Sequence, residues 1–248
     1  MIRAYLMPKR RYADLHVKVI DDGSHPELLI RMAKHLGFSL IALSSDDPSK
    51  LKDLEVAKEI GRNFGVDVAL RLDLKASSPN ELKTYLRKYR RRVEIIGVYC
   101  DNVAVARTAA RDRRVDITFY DPGDVLSILD EGQISLLAES GHYVEVNFTD
   151  LLHIGFDKQA KVLWDYSLML KKIVKKGIPV IISSGASNII DMRAPRELSA
   201  LAFLLLNEDR EGLARDMVST IPMRLVQMNR EKLSPSFVQP GVKVVNEW

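Results

Sequence analysis

Short apolar runs alternate along most of the chain with stretches whose apolar positions recur every three or four residues, the signature of strands alternating with amphipathic helices. The runs at 12–17, 38–43, 66–74, 93–100, 115–119, 143–148 and 178–183 read as strands. Between them, 26–36, 51–64, 80–89, 103–111, 125–137 and 158–176 read as helices. In the first helix Leu28, Leu29, Met32, Ala33 and Leu36 form one apolar face, and Arg31, Lys34 and His35 lie away from it. Gly65 suits the end of the second helix, and Gly132 is the expected break in 125–137. The strand Glu94-Ile-Ile-Gly-Val-Tyr99 is almost continuously apolar, as a parallel strand covered by helices should be. The repeated strand–helix order predicts an α/β fold: a TIM-barrel-like (β/α) barrel with about seven strands and extra C-terminal helices. No G-x-G-x-x-G follows the first strand, which argues against a doubly wound dinucleotide fold.

After residue 206 the pattern changes. Residues 195–207 are apolar nearly all round, so that helix must be covered on more than one side. Residues 208–218 and 223–233 read as helices. Residues 234–248 carry two prolines and a glycine and read as a loosely packed tail, or as a segment that orders on a partner. The expected organisation is a barrel domain over 1–207 and a C-terminal helical extension and tail over 208–248.

Composition adds bounds. At 248 residues and 46% hydrophobic the chain can bury one large core. A net charge of +4 and a pI near 9.0 fit a polyanionic partner but also an ordinary basic protein. The single cysteine, Cys100, excludes an internal disulfide framework and a cysteine-based zinc site, and its place at a strand end predicts a buried, inert thiol. The N-terminal apolar run is too short for a secretory signal, and no run approaches the ~20 apolar residues of a membrane span. A cytoplasmic location away from membranes is expected.

The candidate chemistry is concentrated at strand ends. Asp14 and His16 fall on one face of the first strand by period-two alternation, where a barrel mouth places metal ligands. The next residue on that face is Lys18, which would oppose a divalent cation, so the simpler reading is a hydrogen-bonded pair. Asp46 after the second strand could be a ligand or a base, but Ser and Asp before Leu51 are ordinary helix-cap chemistry. Ser183, Ser184 and Gly185 leave the last strand as a candidate phosphate loop. Arg193 and Arg196 follow, able to fork onto phosphate oxygens. Arg90 and Arg91 lie in the run Arg87-Lys-Tyr-Arg-Arg-Arg92, and Arg107 and Arg111 share a face of the next helix. Clustered arginines with Tyr85 and Tyr89 nearby suit a phosphate-backbone surface, although the end of a helix also favours cations. Lys158 opposes the dipole at the start of its helix and points to an anionic partner.

Tyr12-Ala-Asp-Leu-His16, Val115-Asp-Ile-Thr-Phe119, and above all Ile182-Ser-Ser-Gly-Ala186 with Met192-Arg-Ala-Pro-Arg-Glu-Leu198, make the chain resemble the thirty-kilodalton protein subunit family of archaeal and eukaryotic ribonuclease P. The resemblance covers about residues 10–210 and implies a barrel related to the polymerase and histidinol phosphatase superfamily of metal phosphoesterases. Those enzymes begin with Asp-x-His-x-His-type ligands and carry a later Asp-His. Here Lys18 and Ser45-Asp46-Asp47 stand at those places, so the resemblance implies lost metal chemistry, with Asp14, His16 and Asp46 as degenerate remnants.

The implied function is an RNA-binding subunit that supports the catalytic RNA in removing the 5′ leader of precursor tRNA. No activity is assigned to the chain alone and no cofactor is expected on it, magnesium being expected on the RNA subunit. The implied partners are ribonuclease P RNA, a small ferredoxin-like subunit in a heterotetramer, and other ribonuclease P proteins. Arg193 and Arg196 match the family motif best, and Arg107 lies in a helix that also looks familiar. The alternatives are a metal-dependent phosphoesterase using Asp14, His16 and Asp46, and a barrel enzyme binding a phosphorylated substrate at Ser183–Gly185.

Overall fold

The structure is a computed structural model that describes residues 10–19, 26–206, 210–239 and 242–243. Seven strands form one parallel sheet in sequential order: β1 (Ala13–Lys18), β2 (Leu40–Ser45), β3 (Asp67–Lys75), β4 (Ile95–Cys100), β5 (Ile117–Tyr120), β6 (Tyr143–Asn147) and β7 (Val180–Ser183). The surrounding helices are α1 (Pro26–Leu36), α2 (Leu51–Phe64), α3 (Pro79–Tyr89), α4 (Val103–Arg111), α5 (Val125–Ile128), α6 (Glu131–Ser140), α7 (Thr149–Leu152), α8 (Phe156–Lys175) and α9 (Pro195–Leu206). Helices α10 (Glu211–Asp216) and α11 (Thr220–Leu233) follow, then a hairpin of β8 (Phe237–Gln239) and β9 (Val242–Lys243). This is the expected TIM-barrel-like arrangement with seven strands.

Most strands begin a residue or two later than hydrophobicity alone predicts. Phe38, Val66, Val93, Val115 and Ile178 are buried below the first ladder bonds, so they signal the core and not the sheet. The break in 125–137 lies at Leu129–Asp130 instead of Gly132. Asp130 caps α6 by accepting from the Gln133 amide, and Gly132 sits inside that helix with Arg107 packed against its Cα. The helix expected at 223–233 starts three residues earlier, with Pro222 in its first turn, where a missing N–H costs nothing. The expected helix over 208–218 is seen as Glu211–Asp216, and residues 208–209 lie outside the described residues, as do 240–241 and 244–248 of the tail. Cys100 is fully buried and burial pushes its thiol pKa well up, as its strand-end position predicted.

The barrel does not close by a full ladder. Between β7 and β1 a single bridge joins Val17 to Ala186, where the Lys18 amide donates to the Ala186 carbonyl at 2.7 Å. At the strand-start end the chain after α10 stitches the same seam. The Ile182 amide donates to Met217 O at 3.2 Å and the Ala13 amide to Val218 O at 3.0 Å. Without these partners two buried backbone donors would be orphaned. α11 then floors the barrel, where Leu225 and Val226 pack on inward-facing Ala13, Leu15, Ala42, Ala69, Ile95 and Ile181. Arg230 pins it by a two-pronged contact to Asp67 at 2.7 and 2.9 Å. Leu225→Ala should therefore cost about 2–4 kcal/mol, read as a lower urea midpoint. An unchanged midpoint would mean that α11 is not the barrel floor.

Candidate functional site

The strands place an ion cluster in the barrel's upper half, at the strand ends. β3 carries Arg71 and Asp73 on its inward face, and β6 carries Glu145 and Asn147 on its own. The Arg71 guanidinium is fully buried. It donates to Glu145 Oε1 at 2.8 Å and Oε2 at 2.7 Å, to Asp73 Oδ1 at 2.7 Å, and to the Leu15 carbonyl at 2.8 Å. Ser183 Oγ donates to Glu145 Oε1 at 2.7 Å. The guanidinium also lies 5.4 Å from the Phe119 ring centroid, a cation–π distance. Gly97 leaves the space, because a Cβ there would stand 2.2 Å from Asp73 Oδ1 and 3.0 Å from Arg71 Nη2.

His16 completes the cluster. Its Nδ1 lies 3.0 Å from both Glu145 Oε2 and Asn147 Oδ1, and its Nε2 lies 3.2 Å from Asp73 Oδ2. Burial and Arg71 push its pKa down, but Asp73 and Glu145 pull it up by more, so the ring takes a proton more readily than a free histidine. Burial would raise both carboxylates. Arg71 and His16 instead bring Glu145 down to about 2 and hold Asp73 well below the usual carboxylate range. Two anions face one guanidinium and one imidazolium, so the group is internally neutral when His16 is charged.

Asp14 does not join it. β1 carries a bulge between Asp14 and Val17, and this breaks the alternation that would pair Asp14 with His16 on one face. Asp14 lies instead in the β1–β7 seam, accepting from the Ser184 amide at 3.1 Å and the His16 amide at 3.2 Å. Burial raises its pKa to about 6, against the lowering effect of the Ser184 hydrogen bonds. Asp46 is exposed at the mouth and does not cap the following turn. That role falls to Asp47, whose carboxylate accepts from the Ser49 amide at 2.8 Å.

The Ser183–Gly185 loop is a seam element, contrary to the phosphate-loop expectation. Ser183 and Ser184 are fully buried, and their hydroxyls are taken up by Glu145, the His16 carbonyl and the Ala186 amide. Gly185 has φ +67° and packs so closely on Asn147 and Thr149 that no side chain fits. α9 starts ten residues further on, capped by Glu197 reaching back to the Ala194 amide at 2.7 Å, so its N-terminus does not serve the loop.

The sequence-predicted cations divide into two groups. Arg193 donates to the carbonyls of Ile190 and Met192 and covers Phe148, so it folds its own loop. Arg90 is held by Asp116, itself fixed by the Ile96 amide, and Arg107 by Asp130 at 2.7 Å. Arg91, Arg111, Lys158 and Arg196 are exposed and have no ion-pair partner among the described residues. Arg91 and Arg111 stand at the C-terminal ends of the neighbouring helices α3 and α4, so the fold brings these two arginine clusters to the same end of the barrel. Lys158 stands at the opposite end, on the first turn of α8.

Above the ion cluster the mouth opens into a cavity of about 300 Å³ lined by Lys18, Asp46, Lys75, Asp121 and Asp150 together with Tyr99. Lys75 is drawn to Asp101 at 3.4 Å, and Asp150 accepts from Tyr166 at 2.7 Å. Among the described residues no three His, Cys, Asp or Glu side chains converge to hold a metal ion. The donor set also fails the fit. His16, Asp73 and Glu145 would be the ligands, and the Arg71 guanidinium already neutralises both carboxylates.

The RNase P subunit p30 family matches residues 11–234. Ribonuclease P protein component 3 of Methanosarcina mazei is 28% identical over 96% of this chain and 98% of that protein. The component 3 of Methanothermobacter thermautotrophicus is 27% identical over 98% of this chain and all of that one. A chain in the cryo-EM structure of archaeal ribonuclease P with mature tRNA superposes with a TM-score of 0.81 at 23% identity, covering 94% of this chain and 98% of that chain. Histidinol phosphate phosphatase of Lactococcus lactis, solved with zinc, histidinol and phosphate, shares the barrel at a TM-score of 0.57 and 12% identity, over 79% of this chain and 93% of that one.

Two outcomes test this site. Arg71→Met strands two buried carboxylates and should cost about 3–5 kcal/mol, read by urea unfolding, whereas a loss below about 1 kcal/mol would mean that the cluster is not closed around Arg71. Asp14 is protonated in the folded state up to about pH 6, so the stability it lends is full below its ordinary pKa and is lost as pH rises through 6. Between about pH 4 and pH 6 the protein should lose about 2–3 kcal/mol relative to Asp14→Asn. Parallel pH profiles for the two proteins would contradict this.

Proposed function

The chain belongs to the RNase P subunit p30 family, and on that premise we propose that this ribonuclease P subunit binds RNA and holds it without cutting it. The observation that carries the reading is Arg71. Where a phosphoesterase of this barrel type needs open carboxylates for a metal, the guanidinium occupies both Glu145 oxygens and one of Asp73. The buried position below the mouth where a metal would sit is therefore filled by a fixed counter-charge, while Arg91, Arg111, Lys158 and Arg196, exposed and without ion-pair partners among the described residues, stand outside it.

RNA folding brings phosphates together at an electrostatic cost. Arg91 and Arg111, at one end of the barrel, together with Lys158 and Arg196, would lower that cost by taking the place of released counterions. The proposed partners are ribonuclease P RNA, a small ferredoxin-like subunit in a heterotetramer, and other proteins of the particle. Magnesium belongs on the RNA in this reading, and the reaction is removal of the 5′ leader of precursor tRNA. No helix among the described residues is long and apolar enough to cross a membrane, and the cytoplasm is the proposed location.

The test is capture of the tagged chain from its native source, with sequencing of bound RNA and a precursor-tRNA cleavage assay on the eluate. One structured RNA with 5′-leader cleavage is expected. No RNA, together with manganese- or zinc-dependent phosphate release by the chain alone, would overturn the reading. For the residues, Arg91→Ala/Arg111→Ala should reduce the magnitude of the salt slope of RNA affinity by about 2. An unchanged slope in the folded variant would remove this pair from the interface.

A further inference from the structure

A second cavity, larger than the one at the mouth, lies elsewhere on the barrel. It is a groove of about 1100 Å³ on the barrel's outer flank, between the C-terminal end of α1 and the first two turns of α9, closed below by α10. Its place has a topological cause. α1 follows the first strand and α9 the last, so the two helices flank the seam. A closed eight-unit barrel would seat another helix there, and this seven-stranded one leaves the flank concave.

Five cations and one carboxylate line the groove. The carboxylate, Glu211, is paired with Arg215, and Arg10 is held by Asp216 at 2.6 Å. Arg11, Lys34 and Arg196 have no carboxylate partner among the described residues, although Lys34 lies over Gly65 at the end of α2. Along the same wall stands Phe203, 44% exposed where the neighbouring Ala202 is fully buried. Tyr12 lines the opposite side of the groove. Uncompensated cations beside an exposed aromatic ring are the two parts of a single-strand platform, in which the charges follow the phosphates and the ring stacks on any base. A protein-docking groove would instead be depleted of charge at its centre.

We propose that this flank groove binds a single-stranded segment of RNA. The inference rests on the RNA-subunit reading above and adds to it a site, a strand state and a stacking residue. Arg11, Lys34 and Arg196 can neutralise about three phosphates, which sets the length of strand the groove engages. The site is separate from the arginines at the ends of α3 and α4, and the contact is tolerant of sequence because stacking and phosphate neutralisation read no base edge.

The experiment measures binding of a fluorescent uridine oligonucleotide to the full chain over a range of potassium chloride concentrations. The wild-type salt slope is expected near −2, for three phosphates at about 0.7 each. Arg11→Glu/Lys34→Glu/Arg196→Glu should abolish oligonucleotide binding without lowering the thermal midpoint. Phe203→Ala should weaken it about tenfold with the slope unchanged, since stacking carries no counterion release. If the triple variant does not fold, Arg196→Ala and Lys34→Ala singly should each reduce the magnitude of the slope by about 0.7.

Oligonucleotide binding that survives the triple change, while ribonuclease P RNA is still bound by the wild-type chain, would overturn the groove and leave the RNA-subunit reading standing. Failure of the wild-type chain to bind either RNA would overturn both. Binding of polyglutamate in place of the oligonucleotide, lost in the triple variant, would overturn the proposal in favour of an acidic protein partner.

Discussion

The buried pairing of Arg71 with Glu145 is the constraint from which the rest of the barrel's upper half follows. A guanidinium fully out of water is tolerated only when its donors are matched and its charge is opposed. Both conditions are met here by groups on different strands: Asp73 on β3, Glu145 on β6, and the Leu15 carbonyl on β1. The cluster therefore ties the barrel across its diameter. It also draws in His16, whose proton makes the charges balance, and it requires glycine at position 97. The inward face at the strand ends is here made into polar core.

The second constraint is the seam. Seven strands leave β1 and β7 joined by one bridge, and backbone groups on either side need partners. The chain meets that need twice, with Ser184 and Ala186 near the mouth and with Met217 and Val218 near the floor. The same opening that demands these stitches produces the concave flank between α1 and α9. Closure of the fold and the shape of this flank groove thus have one cause.

Much of this architecture was legible in the sequence, because each strand is an apolar run bounded by helical periodicity, and burial decides both patterns. The family could be read from Ile182-Ser-Ser-Gly-Ala186, whose serines and glycine now have a structural reason: they pack the seam. What the sequence concealed was pairing at a distance. Arg71 and Asp73 alternate with Leu70, Leu72 and Leu74, and Glu145 and Asn147 with Val144 and Val146, so two strands each carried polar residues on one face. That was a signal for a polar barrel interior, although nothing in either segment names the other as its partner. The bulge in β1 was also invisible, and it separated Asp14 from His16. Exposed and committed arginines look alike in sequence. Only the carbonyls around Arg193 and the carboxylates beside Arg90 and Arg107 distinguish them from Arg91, Arg111 and Arg196.

In the proposed mode of binding, RNA is held on the outside of this barrel and not in its mouth. Amide hydrogen exchange of the full chain, with and without ribonuclease P RNA, distinguishes the two placements. Slowed exchange is expected at the C-terminal ends of α3 and α4 and along the flank formed by α1 and α9, with residues 44–46, 73–75 and 121–122 at the mouth unchanged. Protection confined to those mouth residues would contradict it and return the barrel interior to the centre of the function.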